Sequence, residues 1–319
     1  MALRFPSAVT VGLLALAGVP LALGGCAADD TDDPDLGSES DAILGGRRST
    51  KAQDAVVWIG TKHQGGTGLW FAESRCTGTL VAPNVVLTAL HCLGTPNHRA
   101  YTGSSRRRGS STCENGVQTG AKSDYVLESA KRFVVKVSAD LRGAGYQAST
   151  AVFPLDKLAP EAGVRAFVLP KNQCLLGGDV AALVLDRPIT GVPIAKIRAA
   201  KVRAGEPLVA IGWGFTGDRL YTDNTLVRRQ RPSVTLDVAG PRDFTTDPFD
   251  FDHRIASTEL RLAERGVSCF GDSGGAVMDA DGALVGVISR GDDAVCSRGL
   301  TIAGSAAAYR ALVDEAIGQ

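Results

Sequence analysis

The stretch with the clearest chemical potential is GVSCFGDSGGAV, residues 266–277, in which Ser273 follows an acid and precedes two glycines. A tight glycine-rich loop without chemistry is one interpretation. A nucleophile presented on a strained turn is the other. A serine hydroxyl is a weak nucleophile near neutral pH, so it needs a nearby base and a group that orients that base. The remaining sequence must therefore supply both before the second interpretation is preferred.

His91 is the histidine best placed to act as this base. The chain has four histidines, and His91 ends the apolar run NVVLTALH directly beside Cys92. A disulfide at Cys92 would hold the imidazole in a fixed position. A histidine that only satisfies structural hydrogen bonds is the alternative, and the residue types alone do not exclude it.

Several carboxylates could orient the base. Asp179 begins the apolar run DVAALVLD, where a buried carboxylate would need a partner such as an imidazole N–H. Asp179 could instead cap a turn after the two glycines that precede it. Asp156 and Asp186 are further candidates. Chemistry and spacing leave the choice between these carboxylates open.

Composition and patterning predict a β-rich domain. Apolar residues make up 44% of the 319 residues, and 38 glycines provide turns. Short runs such as AVVWIG, VAALVL and ALVGVIS have strand length and lie between polar turns. They favour an antiparallel barrel or sandwich over a parallel α/β sheet. Residues 99–150 are polar and are predicted to form a long surface insertion.

One helix is predicted, in GSAAAYRALVDEAI near the end of the sequence. Ser305 would cap it. Its apolar side would contain Ala308, Tyr309, Leu312 and Ala316.

The charge distribution argues against a nucleic-acid partner. The formal net charge is zero, and residues 1–42 hold seven acids and one base, Arg4. The mild basic excess left in residues 43–319 is too scattered for a nucleic-acid surface. No cofactor or metal is predicted. The acidic segment 243–252 is interpreted as a solvated loop, with a calcium site as the alternative.

The N-terminus has the pattern of an export signal. Residues 1–25 combine Arg4 with an apolar run that is too short and broken for a confident spanning helix. The run ends in LGGC and resembles the lipobox of bacterial lipoprotein signals, which implies diacylglycerol on Cys26 and a membrane-anchored product. An ordinary signal cleaved near Ala28 is the alternative. Residues 26–42 are acidic, lack aromatics and are predicted to be a disordered tether.

The cysteine count fits an exported protein. The chain has seven cysteines, and lipidation of Cys26 would leave an even number for disulfides. No CxxC spacing suggests a metal or redox site.

Three segments in order, LTALHC, DVAALVL and GDSGGA, resemble the motifs around the catalytic residues of the chymotrypsin/trypsin family of serine endopeptidases. ILGG at 43–46, GWG at 212–214 and VGVISRG at 285–291 also match family segments. The resemblance extends from residue 43 to the final helix. It implies two six-stranded antiparallel β-barrels packed face to face, one in 43–198 and one in 199–319, with the catalytic residues between them.

The resemblance also assigns roles. It implies that His91 is the general base, that Asp179 orients it, and that Ser273 is the nucleophile. It places the oxyanion hole at the backbone N–H groups of Gly271 and Ser273. The expected activity is hydrolysis of protein or peptide substrates. A catalytically silent binding module on the same fold is the alternative.

Two disulfides follow from the resemblance, Cys76–Cys92 beside the base and Cys269–Cys296 beside the specificity pocket. That leaves Cys113 and Cys174, a pair that the resemblance does not supply. It would link the predicted insertion to the segment just before Asp179.

The resemblance further implies an inactive precursor. Cleavage before Ile43 would free an ammonium that is buried against Asp272, and the Ser273 turn is expected to be poorly ordered until then. The bond follows Ala42, so the activating protease would accept small apolar residues, as this enzyme itself could. Because Cys26 precedes the cut, activation would release the enzyme from its membrane anchor into the secreted fraction.

The resemblance places Val267 at the base of the specificity pocket, where it cannot pair with a cation. Cleavage is therefore expected after apolar residues of medium or large size. Arg290 stands where the family usually has a tryptophan. It would pair with Asp292 or Asp293, or favour acidic substrate residues, and the sequence leaves this open. The other pocket residues are Ser289, Gly291 and Gly299.

Overall fold

The computed structural model describes residues 43, 45–96, 113–114, 117–118, 125–215, 226–243, 254–293 and 295–319. The predictions for the signal peptide, for Cys26 and for the acidic tether lie outside the described residues, as does most of the acidic segment 243–252.

The strands, in chain order, are β1 (Arg47–Arg48), β2 (Val56–Gln64), β3 (Trp70–Ala82), β4 (Val85–Thr88), β5 (Gly94–Pro96), β6 (Cys113–Glu114), β7 (Val117–Gln118), β8 (Tyr125–Leu127), β9 (Phe133–Lys136), β10 (Val152–Pro154), β11 (Ala162–Val168), β12 (Ala181–Leu185), β13 (Pro207–Gly212), β14 (Arg229–Ala239), β15 (Arg242–Asp243), β16 (Arg254–Ile255), β17 (Glu259–Arg265), β18 (Ala276–Met278), β19 (Leu284–Gly291) and β20 (Leu300–Ser305). The α-helical segments are α1 (Leu155–Leu158), α2 (Leu175–Gly178) and α3 (Arg310–Ile317), and the 3₁₀ turns are Lys51–Gln53, Leu90–Leu93, Ala130–Arg132 and Ala306–Tyr309.

Two closed antiparallel barrels contain most of these strands. The first runs β3–β2–β9–β11–β12–β4 and closes through the β3–β4 pairing, with β10 added at the edge of β3. The second runs β14–β13–β18–β19–β20–β17 and closes through β14–β17, with β1 added at the edge of β14. The predicted fold of two six-stranded antiparallel barrels with a C-terminal helix is confirmed. Closure leaves no unpaired edge in either six-stranded ring.

The continuous apolar run of β12 is explained by burial on both faces. All five residues are buried. Leu183 and Leu185 pack with Phe133 in the interior of the first barrel. Ala182 and Val184 pack on the opposite side with residues of the second barrel and the C-terminal helix. Successive side chains of a strand point to opposite faces, so a strand buried on both faces needs apolar residues at every position.

The prediction of a surface insertion across residues 99–150 is wrong for part of this range. β9 lies within it and is a barrel strand that pairs with β2 and β11. Its Phe133, Val134 and Val135 are buried. Only three apolar residues stand between charged neighbours, so the strand gives little signal in the sequence.

The C-terminal helix differs from its prediction in cap and face. Its first turn is 3₁₀, and Ser305 makes no side-chain capping hydrogen bond. Ala308 is exposed, whereas Ala306 and Tyr309 are buried. A 3₁₀ turn repeats every three residues, so its buried positions differ from those of an α-helix.

The two ends of the described chain pack on the opposite barrels. β1 pairs with β14 of the second barrel. The helix α3 packs through Leu312, Val313 and Ala316 against β12 and neighbouring residues of the first. Among the described residues, no helix is long and apolar enough to span a bilayer.

Candidate active site

The turn that carries His91 follows β4 directly. Leu90, Cys92 and Leu93 of this 3₁₀ turn are buried. The disulfide Cys76–Cys92 joins the turn to β3, with the two Cα atoms 6.0 Å apart. His91 keeps 25% of its side chain exposed. His91 is thus presented from an otherwise buried turn.

Asp179 contacts His91 through both carboxylate oxygens. Nδ1 of His91 lies 2.8 Å from Oδ2, and the backbone N–H of His91 donates to Oδ1 at 2.8 Å. The hydroxyl of Ser289 donates to Oδ2 at 2.5 Å. The Asp179 side chain is only 1% exposed, and these donors satisfy a charge that would otherwise be costly to bury. A carboxylate at Nδ1 keeps the proton there and leaves Nε2 as an acceptor.

The two competing carboxylates lie elsewhere. Asp186 is exposed and accepts a hydrogen bond from the N–H of Gly163 at 3.0 Å. Asp156 is exposed in the first turn of α1. Of the three candidate acids, Asp179 is therefore the one that the fold brings to His91.

Ser273 lies on a turn that packs against the strand segments leading to His91. The carbonyl oxygen of Ser273 accepts a hydrogen bond from the N–H of Thr77 at 2.8 Å. A Cβ at Gly274 would stand 2.0 Å from the Thr77 carbonyl oxygen and 2.2 Å from Thr88 Oγ1. Only glycine allows this approach, because backbone and buried atoms occupy the space that a side chain would need.

Ser289 connects the serine and the acid. The Ser273 hydroxyl donates to the Ser289 carbonyl oxygen over a long 3.5 Å, while the Ser289 hydroxyl donates to Asp179. Among the described contacts, Ser273 makes no hydrogen bond to His91. Hydrogen bonds between a catalytic nucleophile and its base often tighten only when substrate is bound.

The backbone N–H groups of Gly271 and Ser273 have no acceptor among the described residues. Their neighbours are bonded: Asp272 donates to the carbonyl oxygen of Cys269 at 3.1 Å, and Gly274 donates to that of Ile288 at 2.7 Å. Gly271 has a φ of +93°. A turn with alternating bonded and unbonded amides can direct two donors at one oxygen atom.

The carboxylate of Asp272 is completely buried beside Ile43, which is also completely buried. It accepts hydrogen bonds from the N–H groups of Gly214 at 2.7 Å and Cys269 at 2.9 Å. The backbone N–H of Ile43 is its third donor. Burial raises the pKa of Asp272 to about 7, although these three N–H groups act to lower it. A further positive charge at this position would stabilise the ionised carboxylate.

The residues assigned to the specificity pocket lie in the second barrel. Val267 is completely buried within its apolar cluster. The disulfide Cys269–Cys296 closes the adjoining loop. Gly291 and Gly299 both face the backbone of Asp293, which would lie 3.5 Å and 3.3 Å from a Cβ at these two positions.

Arg290 has a partner that the sequence did not suggest. Its guanidinium pairs with Glu259, and Nη2 also donates to the carbonyl oxygen of Arg254 at 2.8 Å. The Arg290 side chain is 7% exposed. The sequence left open a pairing with Asp292 or Asp293 or a preference for acidic substrate residues, whereas in the structure the partner lies on β17. An arginine in an otherwise buried strand is the signal that could have indicated a buried acid.

Sulfur atoms near His91 do not form a metal site. Ligand atoms of Cys76, His91 and Cys92 lie within 4.8 Å of one another. Both sulfurs belong to one disulfide, so neither can offer a thiolate. Cys174 is also disulfide-bonded. Its predicted pairing with Cys113 stays a prediction, because the side chain of Cys113 lies outside the described part of the structure.

Two closed barrels with Ser273 on a turn near the hydrogen-bonded His91 and Asp179 are typical of a serine protease, and the comparisons with known proteins agree with this class. The Trypsin family pattern matches residues 43–313, so the chain belongs to the trypsin family, whose serine proteases act on protein or peptide substrates. A matching solved structure is neuropsin, a serine protease expressed in the limbic system of mouse brain. It is 16% identical with a TM-score of 0.53, over 85% of this chain and 98% of neuropsin. This likeness establishes the fold alone. No curated protein sequence matches the chain significantly.

Proposed function

We propose that the protein is a serine endopeptidase that hydrolyses peptide bonds through an acyl-enzyme. Ser273 is the nucleophile, His91 the general base, and Asp179 the group that orients it. The observation that carries this proposal is that the hydrogen-bonded Asp179–His91 pair lies beside the Ser273 turn, in which the N–H groups of Gly271 and Ser273 have no acceptor among the described residues.

The steps follow from the atoms present. Ser273 Oγ attacks the substrate carbonyl carbon as His91 Nε2 takes the hydroxyl proton. The carbonyl oxygen gains negative charge and accepts hydrogen bonds from the N–H groups of Gly271 and Ser273. His91 then gives its proton to the leaving amine, and the C–N bond breaks. Water, deprotonated by His91, hydrolyses the resulting ester and frees Ser273.

Covalent labelling with a fluorophosphonate probe tests this proposal. Processed enzyme should be labelled at Ser273. The rate of labelling should fall by about 10⁴-fold in an Asp179→Asn variant, because this variant favours the wrong imidazole tautomer. Asp186→Asn is the matched control, since Asp186 is an exposed acid at the far end of the same strand. Absence of labelling in correctly processed protein would favour the silent binding module instead.

The same proposal includes activation by cleavage of the Ala42–Ile43 bond. The burial of Ile43 against Asp272 supports it, because a new ammonium there would stabilise a carboxylate whose pKa burial has raised. N-terminal sequencing of active enzyme should begin at Ile43. A purified Ser273→Ala precursor should remain uncut if the enzyme activates itself, whereas processing of that variant on its own would contradict self-activation.

For specificity, we propose cleavage after apolar residues. The buried Val267 supports this preference, because its uncharged side chain supplies no carboxylate that could pair with a substrate cation. Profiling a peptide library with processed enzyme is the direct measurement. Preferential cleavage after lysine or arginine would contradict the proposal.

We further propose export with lipid on Cys26, release after the activating cut, and a Cys113–Cys174 disulfide. Disulfide-bonded proteins of this size typically function outside the cytosol, in agreement with export. Precursor should partition with membranes and processed enzyme with the soluble fraction, while a Cys26→Ser precursor should lose membrane association. Non-reducing peptide mapping would detect the predicted disulfide. Active enzyme confined to membranes would contradict release.

A further inference from the structure

Arg290 and Glu259 form a buried ion pair beside residues 177–179, here called the Asp179 turn. This ion pair takes no part in the proposed catalytic steps. Arg290 Nη1 lies 2.5 Å from Glu259 Oε1, and Nη2 lies 3.1 Å from Oε2. The two side chains are 7% and 2% exposed. Glu259 Oε2 also accepts a hydrogen bond from the N–H of Ala256 at 2.8 Å. A buried pair persists only when its charges are this well satisfied, and it seldom adds stability by itself.

Glu259 connects this pair to the turn before the catalytic acid. Its Oε1 accepts a hydrogen bond from the N–H of Gly177 at 2.9 Å. Gly177 has a φ of +79° and lies two residues before Asp179. The carbonyl oxygen of Gly177 accepts hydrogen bonds from the hydroxyls of Thr258 at 2.7 Å and Tyr309 at 2.9 Å. Side chains from other elements therefore hold both polar groups of the Gly177 backbone.

Two consecutive residues of strand β19 hold the Asp179 turn. Ser289 contacts Asp179 directly through its hydroxyl. The next residue, Arg290, holds Glu259, which holds Gly177. We propose that Arg290 and Glu259 are positioning residues that fix the Asp179 carboxylate in line with His91. This inference rests on the proposed function.

The geometry argues against a direct role of Arg290 in substrate recognition. Its guanidinium fork is engaged with Glu259 and with the Arg254 carbonyl oxygen, and little of the side chain reaches solvent. A charge already used in this way has little to offer an acidic substrate residue. Arg290 therefore has a structural partner at the position where the family usually has a tryptophan.

Kinetics of processed enzyme against pH test the inference. Arg290→Met should lower kcat by about 10- to 100-fold, because a displaced catalytic group costs this much, while KM changes by less than about twofold. The pH profile of kcat should also change, since a misaligned carboxylate orients the imidazole of His91 less well. Arg290→Lys keeps the charge without the fork and should recover part of kcat.

The charged or titratable groups that face this cluster are Asp179, Glu259, Arg290 and Tyr309. Burial raises the pKa of Tyr309, so its phenol stays protonated across the pH range of the assay. A change in the profile therefore does not come from Tyr309.

Arg261→Met is the matched control. Arg261 also lies on β17 and pairs with Asp237 of β14, with Nη2 2.6 Å from Oδ2, in a partly buried pair. This variant should keep kcat and the pH profile of the wild type, whatever its loss of stability.

Four outcomes separate the possibilities. Wild-type kcat and an unshifted profile in Arg290→Met would overturn the inference, as would a change confined to KM for acidic peptides. If Arg290→Met does not fold, the double variant Glu259→Gln/Arg290→Met takes its place, because it leaves no lone buried charge. The double variant should show the reduced kcat and the shifted pH profile. Wild-type values in the double variant would also overturn the inference. Failure of the probe to label wild-type enzyme would contradict the proposed function itself.

Discussion

Replacing Asp272 with asparagine should remove a pH-dependent loss of stability from the uncut chain. In the structure this carboxylate is completely buried, and its donors are backbone N–H groups rather than a cation. Burial raises its pKa from 3.8 to about 7. In the unfolded chain the same group ionises near its ordinary pKa of about 3.9.

The sign and size of the effect follow from proton linkage. Between pH 4 and pH 7 the folded chain binds more protons at Asp272 than the unfolded chain, so the free energy of unfolding falls as the pH rises. A difference of about three pKa units corresponds to roughly 4 kcal/mol, fully lost above about pH 7. Cleavage before Ile43 would supply an ammonium, lower the pKa of Asp272 and restore much of this stability.

Urea unfolding at several pH values provides the measurement. The uncut Ser273→Ala chain should show the decline, and Ser273→Ala/Asp272→Asn should not. Asparagine has one acceptor oxygen, so one backbone N–H loses its partner at a constant cost of about 1–3 kcal/mol, and the slopes are the quantities to compare. Other carboxylates contribute equally to both variants. Parallel slopes would refute the reasoning, as would a processed enzyme that loses more stability over this range than the uncut chain.

Three further predictions test the parts that hold the site together. Gly274→Ala should lower the free energy of unfolding by about 3 kcal/mol or more, because its Cβ would overlap the Thr77 carbonyl oxygen. Gly282 also has a positive φ but has open space around it, so Gly282→Ala should lower the free energy of unfolding by only about 1 kcal/mol. Urea unfolding of the two variants measures the difference. Ser289→Ala should lower kcat for a peptide substrate by about 10-fold, since Asp179 loses a hydrogen bond to a charged acceptor, and an unchanged kcat would contradict its role. Removing Cys76–Cys92 by double serine substitution should cost about 3 kcal/mol of stability for a loop of 16 residues, measured as a lower urea midpoint; an unchanged midpoint would contradict that contribution.

Local patterns in the sequence predicted an antiparallel barrel or sandwich, and the family resemblance of the motifs implied the two six-stranded barrels that the structure contains. Short apolar runs between glycine-rich turns are typical of closed antiparallel sheets, and the segments around His91, Asp179 and Ser273 resemble one family in the right order. β9 was missed because its local signal is only three apolar residues long. The face of the C-terminal helix was wrong because the first turn is 3₁₀, a choice that depends on packing rather than on composition.

By itself, the sequence determined the residue types that can perform the chemistry and the glycines that let the chain bend around them. Tertiary structure alone decided which partners these residues have. Arg290 lies on β19 and Glu259 on β17, and both strands pair with β20, which lies between them. In the strand register Arg290 is opposite Ile302 and Glu259 is opposite Gly304, two positions on the same face of β20. The N–H groups of Gly271 and Ser273, which have no acceptor among the residues that the structure describes, likewise come to lie side by side only in the folded turn. Hydrogen bonds and ion pairs depend on distances of a few ångströms between segments far apart in the chain, and folding alone sets those distances.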